Sequence, residues 1–466
     1  MKAIHWKTRS FLFVLVLLAC LKVSATTEQI YSPDKDIRVD IHAVDNTLEA
    51  EIFKGDVHLV RNIRLGLTLN GSNFDTFKVT GKKRSHFSDT WCPIWGKQSE
   101  VRNEYNRFIF SVKDVEDSNR KMNIIFRVYD DGVALRYEIP EQSSPNDFMI
   151  DQDLTSFAVA GERSFYTPNG ERANIGPVRV SGVKEQFNRN EALHTPMVFV
   201  SDDSYCLAVH EAATFDFSYS RLKPMAENRF QFDMEASTGG TPAKTAWRVF
   251  MTGDDAGELL ESNLLYNLNP PCAIEDPSWI KPGVSLWDWR ARGAQVDGFI
   301  YEISQEAFMR YVDFAAEKDI EYVLFDAGWY SKKGPTHSRG GMDMPEIIRY
   351  AESKGVGVLL YLDRRSEGNN DWDLEKVLKT WSQWGAKGIK YGFLGSECDG
   401  RQELEIDLDF LGNGAYELTQ FSDGENASAF GDKEDYIVKG KTVHAGDTHH
   451  YKMAPGGGHC VLIKKK

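Results

Sequence analysis

Apolar and polar residues alternate along the first half of the chain, and helical spacing enters only beyond residue 283. From about Thr27 to Leu265 the alternation recurs at Ile37–Ile41, Leu48–Ile52, Phe108–Val112, Ile124–Tyr129, Val133–Ile139, Met197–Val200, Tyr205–His210 and Trp247–Met251. Alternation of period two marks strands with one buried face. Many strands with few helices predict a large antiparallel β-sandwich over residues 26–266. Asp130-Asp131-Gly132 is placed to turn one of its hairpins. Pro270, Pro271 and Pro277 mark residues 267–282 as a linker.

The pattern then changes. Short apolar runs at Val284–Trp289, Tyr322–Trp329, Val356–Asp363 and Ile389–Leu394 begin roughly 32–38 residues apart, the length of a strand-plus-helix unit. Between them Phe308, Tyr311, Val312 and Ala315 share a helical face, as do Ile347, Ile348 and Ala351, and Leu374, Val377, Leu378 and Trp381. About four such units predict a partial (β/α)8-type barrel over 283–400. Strand alternation returns at Leu404–Leu408, Ala415–Thr419, Tyr436–Val438 and Cys460–Ile463, predicting an antiparallel β-domain over 401–466. The expected fold is therefore multi-domain, β plus α/β. The other reading of the middle segment is an open α/β sheet.

Parallel barrels place their chemistry at the C-terminal ends of the strands. The first three runs end in Asp288 and Trp289, in Asp326 and Trp329, and in Asp363, Arg364 and Arg365. Rings that stack on sugars beside groups that bond hydroxyls are what a carbohydrate site uses. Asp326, Trp329, Asp363 and Arg364 are thus the candidate substrate-binding residues, and Glu397, just past the fourth run, is the candidate base. His449 and His450 are neighbours on an expected strand, face opposite ways, and read as surface residues. Met453–Gly458 lacks the Lys-Ser/Thr of a phosphate loop and reads as a turn.

Charge and composition narrow the partners. Residues 1–25 combine a basic start, an apolar run from Phe11 to Cys20 and a Val23-Ser24-Ala25 cleavage site, the pattern of an export signal. Cys20 offers a lipoprotein site instead, so the expected location is the periplasm or the outer membrane. Loss of the signal takes away four basic residues and no acid, which deepens the formal charge from −14 to −18. Such a charge speaks against nucleic acid and anionic membrane surfaces. No apolar run is long enough for a transmembrane segment. Five scattered cysteines remain, with no CxxC, so neither a disulfide framework nor zinc is expected.

Five stretches carry a likeness to a known family: Phe126–Tyr137, His210–Ala213, Tyr322–Tyr330, Lys354–Leu362 and Trp384–Phe393, with Met453–Gly458 resembling the family's close. The chain resembles glycoside hydrolase family 97, exported α-glucosidases and α-galactosidases. The resemblance implies oligosaccharide substrates. In the family's retaining branch the fourth barrel strand ends in an Asp nucleophile; the matching position here is Gly392. Its loss resembles the inverting α-glucosidase branch, with calcium assisting and Glu211 as the matching sandwich ligand. The family's later His-Asp-Glu motif does not occur. Hydrolysis of α-glucosidic bonds is one expectation. A non-catalytic carbohydrate-binding or vestigial protein is the other, and a spliced or mis-assembled version of a longer gene product is a third. A half-barrel exposes sheet edges, which predicts oligomerisation.

Overall fold

The computed structural model describes residues 26–466 apart from 142–146, 171, 188–191, 202–203, 216, 226–227, 364–373, 393–401, 409–410, 412–413, 424–435 and 454–458. The chain divides into two compact units. One holds residues up to Asp89 with Arg102–Asn269, the other Thr90–Val101 with Pro270–Lys466. The second unit holds the parallel strands with their helices, the C-terminal β-domain and the segment Thr90–Val101.

The first unit is antiparallel throughout its main sheets. A seven-stranded sheet runs from Thr26–Tyr31 to Ser220–Pro224, and a ten-stranded sheet includes Lys121–Tyr129, Gly132–Ile139, Ser204–Ala212 and Trp247–Gly253. Alternate residues of these strands turn inward, so Phe157, Phe165, Phe199, Phe230, Phe232 and Phe250 meet in one aromatic core, packed edge-on and tilted. Asp130-Asp131-Gly132 does close a hairpin, with Tyr129 opposite Gly132. A Cβ at Gly132 would lie 2.5 Å from the Phe250 carbonyl oxygen, so close backbone approach requires glycine there.

In the second unit four parallel strands pair in chain order: Ser285–Trp287, Tyr322–Phe325, Gly357–Asp363 and Gly388–Gly392. The first and second are shorter than their apolar runs. After Trp287 the chain enters a 3-10 turn at Asp288–Arg290, and past Asp326 it turns at Ala327 and Gly328. Between the strands lie the helices Gln305–Glu317, Met344–Ser353 and Leu374–Trp384. Ser304 caps the first by accepting from the Ala307 amide, and Asp343 caps the second from Glu346. Their apolar faces bury Phe308, Val312, Ile347, Ile348, Val377 and Trp381 against Val323, Phe325, Val358 and Leu360. Phe308 and Phe325 stack at 3.9 Å with ring planes 1° apart.

The C-terminal domain has a three-stranded sheet of Tyr436–Val443, Tyr416–Asp423 and His459–Lys465, and a pair of Gln402–Asp407 with Thr448–Met453. Leu408, Leu411, Leu418 and Val443 form its small core.

Candidate active site

Four parallel strands bring a polar cluster together at their C-terminal ends. The Asp326 side chain leaves the second strand and is buried, 4% exposed. Its Oδ2 accepts from Trp287 Nε1 of the first strand at 2.6 Å and from Lys390 Nζ of the fourth at 2.6 Å. Its Oδ1 accepts from the Ala327 amide at 2.8 Å. The Lys390 ammonium lies 4.2 Å from the Trp287 ring centre and 5.1 Å from that of Tyr361, which the third strand supplies. Burial pushes the Asp326 carboxyl up, but the bonds from Lys390, the Ala327 amide and Trp287, with the Lys390 charge, hold it below the usual carboxylate range. Asp326 is thus a fixed anion.

Asp288 lies behind it. Its Oδ1 accepts from the Asp326 amide at 2.7 Å, and its Oδ2 takes Arg292 Nε and Nη2 at 2.9 and 2.8 Å. Burial raises this carboxyl, the bonds from the Asp326 amide and Arg292 oppose it, and the Asp326 charge adds to the rise. Tyr311 packs nearby with its phenol pushed up to about 12 by burial and by the charge of Asp288. Asp288 therefore fixes the strand end, while Trp287, Asp326 and Lys390 face the mouth. Lys390 keeps 39% of its side chain exposed and has further N–H groups to offer a hydroxyl. The arrangement can bond sugar hydroxyls through a charge-assisted pair beside an indole face. Both described carboxylates already hold cations, so neither is set up as a proton donor.

The sequence candidates fall out unevenly. Asp326 joins the cluster. Trp329 does not: it is fully buried, its Nε1 donates to the Tyr361 carbonyl at 3.3 Å, and its ring packs on Tyr330, Trp381 and Trp384. No face of that indole is open to a sugar. Asp363 ends the third strand opposite Gly392, and its side chain lies outside the described residues, as do Arg364 and Glu397. Trp287, Asp288, Lys390 and Tyr361 were missed as site residues. The available signal was register, because each ends or nears the end of a strand in the same parallel sheet.

Glu211 lies in the first unit and is committed elsewhere. Both its oxygens accept from the Ser220 amide, at 2.9 and 3.0 Å, and Oε2 also takes Arg248 Nη1 at 2.9 Å. Arg248 Nε donates to buried Asp153 at 2.7 Å. Calcium needs six to eight oxygens. Among the described residues no three His, Cys, Asp or Glu side chains gather as a metal site would require. The described residues around Glu211 do not fit the ion, and Glu211 is the anionic partner of Arg248. His449 also departs from expectation. It is 2% exposed, turned into the small C-terminal domain, while His450 on the opposite strand face is exposed. Among the described residues no helix is long and apolar enough to cross a membrane.

Comparison with known proteins agrees with this architecture along the chain. The glycosyl-hydrolase 97 N-terminal profile matches residues 30–271, the glycoside hydrolase 97 profile 287–418, and the glycosyl-hydrolase 97 C-terminal, oligomerisation profile 387–464. A probable retaining alpha-galactosidase of Streptomyces bingchenggensis is 28% identical over 382 residues, 77% of this chain and 56% of the relative. A retaining alpha-galactosidase of Bacteroides thetaiotaomicron is 24% identical over 430 residues, 83% of this chain and 63% of the relative. The chain thus spans less than two thirds of the length of either. Among solved structures, a family 97 enzyme from Pseudoalteromonas sp. strain K8 in complex with acarbose superposes with TM-score 0.67 at 17% identity, covering 94% of this chain and 100% of that one. A beta-arabinopyranosidase gives TM-score 0.66 at 19% identity, covering 78% and 62%. Those two likenesses are of fold. With its N-terminal profile alone matching more than half of the residues, the chain belongs to glycoside hydrolase family 97.

Proposed function

We propose that this chain recognises the terminal sugar of an α-linked oligosaccharide at the strand ends that carry Trp287, Asp326 and Lys390. The observation that carries the reading is the shared Oδ2 of Asp326, which holds an ammonium and an indole N–H at one place beside an aromatic face. A hydroxyl arriving there meets an acceptor with a fixed charge and a donor with spare hydrogens. The names of the two relatives support an α-galactoside ahead of an α-glucoside as ligand.

A second reading, inverting hydrolysis of an α-glucosidic bond with calcium, is favoured by one observation: residue 392 is glycine. A retaining reaction needs a nucleophilic carboxylate about 5–5.5 Å from the acid, whereas inversion places two carboxyl groups about 6.5–9.5 Å apart around a water. Glycine at the position the family resemblance gives to the nucleophile speaks for inversion over retention. Export to the periplasm, read from residues 1–25, is part of the same proposal.

The test follows the indole of Trp287. Galactose and glucose are titrated into the purified chain by tryptophan fluorescence and calorimetry, alongside Asp326→Asn and Lys390→Met. Each substitution should weaken sugar binding by roughly tenfold or more, about 1.4 kcal/mol. Unchanged affinity in both variants overturns the recognition site. Release of nitrophenol from the α-galactoside or α-glucoside, with and without added calcium, decides the second reading, and calcium-dependent turnover of the glucoside is the result it requires.

A further inference from the structure

The C-terminal domain holds a cleft of about 370 Å³ lined by Gln420, Lys439, Gly440, Lys441, His449 and His450. Three strands build it: Tyr416–Asp423, Tyr436–Val443 and Thr448–Met453. Lys439 and Lys441 are two residues apart, so both side chains leave the same face of their strand. Register sets Lys439 opposite Gln420, which puts that amide beside the ammonium. From the other sheet His449 enters from the buried side and His450 from the exposed one.

We propose that this cleft binds a compact oxyanion, a carboxylate, sulfate or phosphate, carried on a body the size of one sugar. Four of the six lining residues are basic or imidazole, the fifth is an amide, and none is a carboxylate. The chain as a whole has net charge −14, so a wall of this sign is a local departure from its composition. The volume lies in the range of small-molecule sites, above what a bare inorganic ion fills. Two ammonium groups on one strand face can grip an oxyanion with charge-assisted bonds, and the Gln420 amide lies in the same lining. The site is separate from the parallel-strand cluster and rests on none of its residues.

The experiment titrates galacturonate, galactose and inorganic phosphate into the full chain by calorimetry. It is repeated with a Lys439→Ala/Lys441→Ala double variant and, separately, with Asp326→Asn. Both lysines are exposed, so the double variant is expected to keep its circular dichroism and melting temperature. Galacturonate should bind the unaltered chain, weaken as salt is raised, lose roughly tenfold or more in affinity in the double variant, and bind Asp326→Asn unchanged. Phosphate binding with the same variant pattern, without galacturonate binding, overturns the proposal, because the cleft then takes a free ion and no sugar-sized body. Binding of galactose equal to galacturonate, loss confined to Asp326→Asn, or no anion binding overturns the proposal. So does a double variant that alters the mass by light scattering while leaving anion binding intact, because the cleft is then a contact between copies.

Discussion

Arg248 is a buried cation that joins two carboxylates of the first unit. Its guanidinium is buried between Asp153 and Glu211 and lies 4.8 Å from the Phe232 ring centre. Removing one partner of a buried ion pair leaves the others charged and without a counterion, at a cost of about 3–5 kcal/mol. Arg248→Met should lower unfolding stability by that order in urea titrations, whereas Glu211→Gln, which leaves the Asp153 pair, should cost markedly less. Calcium should leave the melting temperature of the unaltered chain where chelator leaves it, since Glu211 already has its cation. At Asp326 the linkage has the opposite character from that of a buried acid without a partner. Its folded pKa is depressed, so its contribution is present above the unfolded value near 3.9 and is lost as pH falls through the lower folded value. The stability difference between the unaltered chain and Asp326→Asn, measured by denaturation at a series of pH values, should shrink as pH drops below about 4. Residue identity made Asp326 legible in the sequence because it ends an apolar run. Trp329 followed the same rule and misled, for a tryptophan four residues past a strand can as well fold back over the helices as face the mouth. Lys390 was hidden for the converse reason: it sits inside its strand, and only pairing with the third strand reveals which way it faces.

At the level of elements, the third and fourth strands meet closely where Gly392 faces Tyr361. A Cβ built at Gly392 would lie 2.7 Å from the Tyr361 hydroxyl and 2.8 Å from its ring, and Tyr361 is 2% exposed. The ring has little room to retreat. Gly392→Ala should therefore destabilise by about 1–3 kcal/mol, the usual range for overpacking. In a double-mutant cycle with Tyr361→Ala the pair should cost less than the sum of the singles, and strict additivity would show that the two do not collide. The parallel strands and their helices were legible as elements, since period, spacing and caps agree there. Their ends were less so. Apolar character runs on past Trp287 and Phe325, but the buried carboxylates Asp288 and Asp326 turn the chain out of the sheet. In the C-terminal domain the strand Thr448–Met453 was expected with two surface histidines, and His449 went inward because its partner sheet lies on that side.

The whole molecule presents a parallel sheet with two edges among its described residues, Ser285–Trp287 and Gly388–Gly392. Val284 and Ile389 flank them with 64% and 43% of their surface exposed. Edge strands with apolar neighbours invite pairing unless something covers them. The chain is expected to self-associate, and light scattering coupled to size exclusion should give a mass that is a multiple of 52.8 kDa. A monomer at all concentrations would show that the edges are protected within the chain.

The bond from the Asp326 amide to Asp288 has a consequence for how this protein can change. The buried carboxylate of Asp326 hangs from its neighbour's side chain, and that side chain is pinned in turn by Arg292. Scaffold and the proposed selectivity are therefore coupled at this spot. A substitution at Arg292 is expected to lower thermal tolerance and to shift sugar affinity at the proposed site in the same variant.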